Sequence, residues 1–163
     1  MLVRLNALFI FTFATAVLAG AWAFQIFGGY QPCALCLQQR LPYYIAIPVA
    51  LLAIVLAIRA GQNRLTRALF LALVLLFFVS LFLAIRHAGV EWKWWLGPVG
   101  CGAGDLTTAI APLGSENADP DLIPVFCDEA ALRFLGLSFA GWNAVASLIL
   151  LIAALKGAFT RAT

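Results

Sequence analysis

Four stretches of this chain run the thickness of a membrane without an ionisable side chain. Leu5 to Phe27 gives 23 such residues, Leu41 to Ile58 gives 18, Ala68 to Ile85 gives 18 and Phe134 to Leu155 gives 22. Roughly 20 apolar residues in a helix cross about 30 Å of hydrocarbon, so each run is long enough. Lipid cannot satisfy open backbone groups, and continuous apolar runs lack the alternation of strands, so helices are the expected form. The fold class that follows is an all-α integral membrane protein, a four-helix transmembrane bundle with a long irregular loop between helices 3 and 4. Spans are expected at about 5–27, 41–58, 68–85 and 134–155, in a single membrane domain covering 1–163. Composition agrees: the chain is 64% hydrophobic and 10% charged, against roughly 45–50% and about 25% in soluble domains. That excludes a soluble globule and a disordered tail. The net charge of +3 is not gathered on a polar surface, so nucleic acid is not an expected partner. Arg4 and the small-x-small triplet Ala21-Trp22-Ala23 also resemble a signal peptide, but the first apolar run exceeds the usual length of about 7–15 residues.

Charge placement sets the expected orientation. Arg4, Arg59, Arg64, Arg67, Lys156 and Arg161 flank span ends that share one side, with no acidic residue among them. Arg40, Arg86, Lys93 and Arg133 fall on the other side with all seven acids, among them Glu91, Asp128 and Glu129. The positive-inside rule then puts both termini in the cytoplasm and loops 28–40 and 86–133 outside. The longer loop holds six of the 13 glycines and four of the seven prolines. Its Trp92-Lys93-Trp94-Trp95 start suits the headgroup level. Leu122, Ile123, Val125 and Phe126, interrupted by Pro124, form an apolar cluster that rests on the membrane or packs within the loop.

Cys33, Cys36, Cys101 and Cys127 all fall on the outer side, where an even number of thiols reads as disulfides. Of the three possible pairings, Cys33 with Cys36 and Cys101 with Cys127 keeps each bridge within one loop. Closing the short Cys33-Ala34-Leu35-Cys36 ring gains little entropy, so that bridge suits repeated opening better than stapling. Cys36 precedes the second span, where a helix N-terminus stabilises a thiolate, and Arg40 four residues on adds a cation on the same face. Cys101 lies between Gly100 and Gly102 and is the sulfur open to attack. Asp128 and Glu129 flank Cys127 and would raise its pKa. A structural staple is the alternative for this wider pair. Zinc sites usually use two closely spaced pairs, which Cys101 and Cys127 do not form, so no metal is expected.

His87 falls at the outer end of the third span beside Arg86. It reads as an interfacial polar residue, or as a hydrogen-bond donor to a quinone carbonyl, a role Arg86 could equally fill. Asn143 and Ser147, one turn apart in the fourth span, suit helix-to-helix bonding, and Gln25 is ambiguous in the same way.

Three features together are distinctive: Cys33-Ala34-Leu35-Cys36-Leu37-Gln38-Gln39-Arg40 between spans one and two, a cysteine pair between spans three and four, and Phe134-Leu135-Gly136-Leu137 opening span four. The pattern resembles the disulfide bond formation protein B (DsbB) family over nearly the whole chain. The resemblance implies a protein-disulfide oxidase of the bacterial inner membrane. Its partner would be a DsbA-like periplasmic thioredoxin-fold oxidant, and its electron acceptor ubiquinone (or menaquinone). On that pattern reduced DsbA attacks Cys101 and releases Cys127, which engages the Cys33–Cys36 disulfide at Cys33. Cys36 then faces the quinone with Arg40, and His87 is the matching quinone-site histidine. Gln39 stands where the family carries an acidic residue beside the arginine. The glycines and prolines of loop 86–133 are expected to supply the motion that brings Cys127 to Cys33. Two other readings are weighed: a reductase like the vitamin K epoxide reductases, in which the CxxC follows the loop cysteines instead of preceding them, and a non-enzymatic four-span protein with two structural disulfides.

Overall fold

The computed structural model describes residues 2–98, 123–124 and 126–160. Four helices carry the architecture: α1 (Leu2–Ile26), α2 (Ala34–Ala60), α3 (Arg64–Glu91) and α4 (Phe139–Phe159). Each is long and apolar enough to cross a membrane. The helices form a ring, α1 against α2, α2 against α3, α3 against α4 and α4 back against α1. The chain is therefore an all-α, multi-pass membrane bundle.

The buried stripe of each helix explains the packing. Val3, Ala7, Ile10 and Ala14 on α1 face Ala46, Ala50, Ala53 and Ala57 on α2, while α3 contributes Phe70, Leu73 and Phe77 and α4 contributes Leu150, Ala153, Ala154 and Ala158. Lipid tails are as apolar as leucine, so helices in a membrane gain little by hiding large aliphatic groups. They gain by close backbone approach, which small residues permit. Many Leu, Ile and Phe side chains accordingly point outward, Leu75 and Phe82 among them. Pro42 and Pro48 lie inside α2, a position that membrane helices tolerate better than soluble ones.

The charged groups sort to opposite ends of the bundle. At one end Arg4 donates to the carbonyls of Ala57 and Ile58. Gly61, at φ +62°, ends α2, and Asn63 caps α3 through its bond from the Thr66 amide at 2.8 Å. Gln62 donates to the carbonyl of Gly157 at 3.1 Å, tying the α2–α3 turn to α4. The other end carries Cys33, Arg40, His87 and Glu91.

Helical backbone extends beyond the charge-free runs. α2 begins at Ala34, not 41, and α3 continues to Glu91, six residues beyond the expected end at 85. Span four departs the other way. Phe134-Leu135-Gly136-Leu137 does not open the helix but forms a tight hairpin, β3 (Arg133–Phe134) against β4 (Leu137–Ser138). Leu135 and Gly136 both have positive φ, at 50° and 82°, as a two-residue hairpin turn of the primed type requires. Ser138 then caps α4 by accepting from the Gly141 amide at 3.1 Å. A further strand, β1 (Tyr30–Gln31), pairs in parallel with β2 (Ile123–Pro124).

Gly157 shows how tight the α3–α4 contact is, because a Cβ there would collide with the Phe70 ring. Gly157→Val should destabilise the bundle by about 1–3 kcal/mol, the usual cost of overpacking, and lower the thermal midpoint in detergent. Gly20→Ala meets nothing within 4 Å and should leave the midpoint in place.

Candidate functional site

The Cys33–Cys36 motif is the first turn of α2. Cys33 has extended backbone (φ −71°, ψ 166°), and its sulfur accepts the Cys36 amide at 3.2 Å. Helix N-termini leave amides without partners, and the cap is usually an oxygen of Ser, Thr, Asp or Asn. Here a sulfur does that work. One helical turn separates Cys36 from Arg40, so both side chains project to the same side.

Cys33 and Cys36 are free thiols here, the open form of a pair expected to open and close. The described state is the reduced form of the pair. Both sulfurs and a ring nitrogen of His87 lie within 4.8 Å of one another, so a short side-chain rotation would re-close the ring. The neighbouring Cys36 sulfur, together with burial, holds the Cys33 thiol well above its ordinary pKa. Cys33 therefore keeps its proton.

Cys127 is disulfide-bonded and buried, in one cluster with Cys33, Leu35, Val90 and Cys36. Its expected partner, Cys101, lies outside the described residues. The β1–β2 backbone ladder holds the chain before Cys127 beside the residues leading into α2, and the Lys93–Asp128 ion pair at 3.0 Å ties it to the end of α3. Cys127 is thus packed in the same cluster as Cys33. Asp128 beside it pairs with Lys93, and Cys127, being disulfide-bonded, has no thiol proton to titrate.

Behind the sulfurs runs a buried line of polar side chains. Cys33 Sγ is 3.8 Å from His87 Nε2, and His87 Nδ1 is 2.6 Å from the Gln39 side-chain nitrogen. Gln39 Oε1 accepts from Asn143, whose Oδ1 accepts from the Tyr43 hydroxyl at 2.7 Å. The Tyr43 hydroxyl also meets Ser147, and Ser147 meets Ser80. In hydrocarbon each of these groups would be costly without a partner. Asn143 and Ser147 do join α4 to its neighbours, as the sequence suggests. His87 is 4% exposed, so it faces the bundle and not the membrane interface. Glu91 Oε1 lies 3.8 Å from His87 Nε2, and the other carboxylate oxygen accepts from Ser138. The backbone of Cys127 also reaches the His87 ring.

A cavity of about 450 Å³ opens beside this cluster. Its walls are largely apolar, from Phe13, Val17, Gly20 and Phe24 on α1 to Trp142 and Ala146 on α4, while Cys36, Gln39, Arg40, His87 and Glu91 line its polar end. Arg40 donates to Gln25 Oε1 at 2.6 Å and to the Ala21 carbonyl at 3.3 Å, and lies over the Trp22 ring. Gln39 in place of an acid leaves Arg40 with neutral partners, and among the described residues no carboxylate forms an ion pair with it. Its charge is therefore available to the cavity. Arg86 does not line the cavity, so of the two candidates beside each other only His87 reaches it. Gln39, Tyr43 and Glu91 were not singled out as site residues in the sequence. Their signal was spacing: Gln39 with Tyr43, His87 with Glu91, and Asn143 with Ser147 are polar pairs four residues apart inside apolar helices.

The family model described as Disulfide bond formation protein DsbB matches residues 3–156. No curated protein and no solved structure matches the chain. A match that spans every helix, on a bundle that gathers three of the four cysteines at one end, settles the family. The chain belongs to the DsbB family, and is a multi-pass membrane disulfide oxidoreductase that serves disulfide-bond formation.

Proposed function

We propose that this protein is a quinone-dependent thiol oxidase of the bacterial inner membrane that reoxidises a DsbA-type dithiol oxidant in the periplasm. The observation that carries the reading is the joint placement of Cys127, Cys33 and Cys36 in one buried cluster, with Cys36 and Arg40 on the wall of a mostly apolar cavity. Thiol exchange needs the first contact and a lipid-soluble acceptor needs the second. The proposed topology puts both termini in the cytoplasm, with Cys33, Cys36, Cys101 and Cys127 on the periplasmic side and 1–163 acting as one membrane domain.

The residues lining the cavity fit a quinone: apolar walls suit an isoprenoid tail, and Arg40, His87 and Gln39 offer hydrogen-bond donors at the polar end. Bound there, a quinone supplies an acceptor for two electrons and two protons. The chain's own residues account for the rest. A DsbA thiolate attacks Cys101, breaking the Cys101–Cys127 bond, and Cys127 leaves as a thiolate. Cys127 attacks Cys33 Sγ, breaking a Cys33–Cys36 bond and forming Cys33–Cys127, with Cys36 as the leaving thiolate. Attack by Cys101, once the second DsbA thiolate has resolved the mixed disulfide, restores Cys101–Cys127 and leaves Cys33 and Cys36 as the dithiol. Two electrons have then moved from DsbA to this pair. Arg40 and the N-terminus of α2 hold negative charge on the Cys36 sulfur, while Cys33 retains a proton to be released when the bridge re-forms.

With ubiquinone and reduced DsbA, wild-type protein should bleach quinone absorbance, and Cys36→Ser should drop to the uncatalysed background. Turnover that survives in Cys36→Ser overturns this reading. Arg40→Met should raise the KM for quinone about 10-fold, equivalent to about 1.4 kcal/mol, in protein that still folds in detergent. Cys33 predicts a pH effect as well. Because its folded pKa is raised, iodoacetamide labelling of Cys33 in the reduced protein, followed by mass spectrometry, should stay slow through pH 8. An unfolded control should label faster at the same pH.

A further inference from the structure

The cluster at the start of α2 has a second chemistry besides disulfide exchange. In the dithiol state it offers two sulfurs and an imidazole nitrogen in one cluster, with the Glu91 carboxylate beside the imidazole. Cys33 Sγ, Cys36 Sγ and a His87 ring nitrogen lie within 4.8 Å of one another. His87 Nε2 is 3.8 Å from Cys33 Sγ and 3.8 Å from Glu91 Oε1. A tetrahedral zinc ion, with Zn–S about 2.3 Å and Zn–N about 2.0–2.1 Å, holds its sulfur and nitrogen ligands about 3.6 Å apart. Cys33 Sγ and His87 Nε2 already stand near that spacing; Cys36 closes from within 4.8 Å, and Glu91 swings in from beside His87.

We propose that the reduced Cys33–Cys36 pair, with His87 and Glu91, forms a binding site for a thiophilic divalent cation of the zinc class that arrests the protein in its dithiol state. This rests on the reading of Cys33–Cys36 as a pair that cycles through the dithiol. Binding exchanges two thiol protons for one metal ion and leaves the sulfurs at their existing oxidation level. Two thiolates and one carboxylate leave the complex one negative charge, and Arg40, one turn along α2 from Cys36 and without a carboxylate partner of its own, faces the same cavity.

The surroundings of His87 suit this use. A metal on Nε2 requires the proton on Nδ1, and therefore an acceptor opposite it. The Gln39 side chain can turn its amide over to present oxygen. Asn143 can turn over in step, so that it still bonds to Gln39 and to the Tyr43 hydroxyl. Tyr43 then donates to Ser147, which can pass its own proton to Ser80. The same pairs of side chains would then bond in the opposite sense. The contact of the ring with the Cys127 backbone is the one that the metal displaces. Ligating histidines characteristically carry such a partner on the second nitrogen, and losing it weakens metal binding about 10–100-fold.

The consequence is a redox lock. A cation that binds only the dithiol shifts the dithiol–disulfide ratio by the factor 1 + [M]/Kd, about 100-fold at a concentration of 100 Kd. Cobalt(II) provides the probe, since thiolate ligation gives a sulfur-to-cobalt charge-transfer band and four-coordinate geometry gives strong visible absorption. The reduced full-length protein in detergent should bind one cobalt with both features, displaced by zinc, and the oxidised protein should bind none. Cys36→Ser should lose most of the charge-transfer intensity, and His87→Gln and Glu91→Gln should each weaken binding at least 10-fold. His87→Gln keeps a polar side chain of similar length, so it guards against misfolding. Absence of the band in the reduced wild type, or unchanged affinity in either His87→Gln or Glu91→Gln, overturns the proposal. Metal-free turnover separates the two readings: protein that binds cobalt yet never reduces quinone defeats the oxidase and leaves the metal site standing.

Discussion

The site depends on one bond, from the Cys36 amide to the Cys33 sulfur. It fixes where α2 begins, and so places Cys36, Gln39, Arg40 and Tyr43 on successive helical turns. A soluble-style oxygen cap would satisfy the same amide but could not take part in disulfide exchange. By letting the redox sulfur do the capping, the fold brings the chemistry to a helix N-terminus, where the backbone already favours an anion. The same sulfur atom therefore serves both the start of α2 and the redox chemistry of the pair.

The polar line behind the sulfurs shows how a membrane bundle can be specific. Apolar side chains in lipid gain little from facing inward, and the alanine-rich stripes of α2 and α4 would pack in more than one register. Hydrogen bonds from Gln39 to Asn143 and from Tyr43 to Asn143, with Ser80 against Ser147, allow only one. A one-residue slip of α4 would turn Asn143 and Ser147 into lipid, where their unpaired groups cost several kcal/mol. The same line that sets helix register therefore sets the orientation of His87.

Much of this was legible in the sequence, and what was missed has physical causes. Charge-free runs locate helices because hydrocarbon rejects charge, and all four were found. The rule stops at the first ionisable residue, however, and Arg40 and His87 are inside helices because a cavity, not lipid, receives them. That is why α2 was expected seven residues too late. Phe134-Leu135-Gly136-Leu137 was read as helix on hydrophobicity, but Gly136 allows the positive φ that a hairpin needs, and Ser138 supplies the real cap. Cys33, Cys36, Arg40 and His87 were named as site residues and share one end of the structure. Glu91 was counted only as a charge, because its partner Ser138 lies 47 residues away and nothing local announces the pairing.

The walls of the cavity are not equally firm. Hydrogen bonds join α1 to α2 at both ends, through Arg4 at one and Arg40 at the other, and α2, α3 and α4 share the polar line. Between α1 and α4, among the described residues, there is only apolar contact, such as the Phe24 ring edge-on to Phe139. Dispersion alone holds that seam, with no hydrogen-bond partners to fix it. Of the seams around the cavity, this one is held by the least directional forces, and on its far side lies the bilayer.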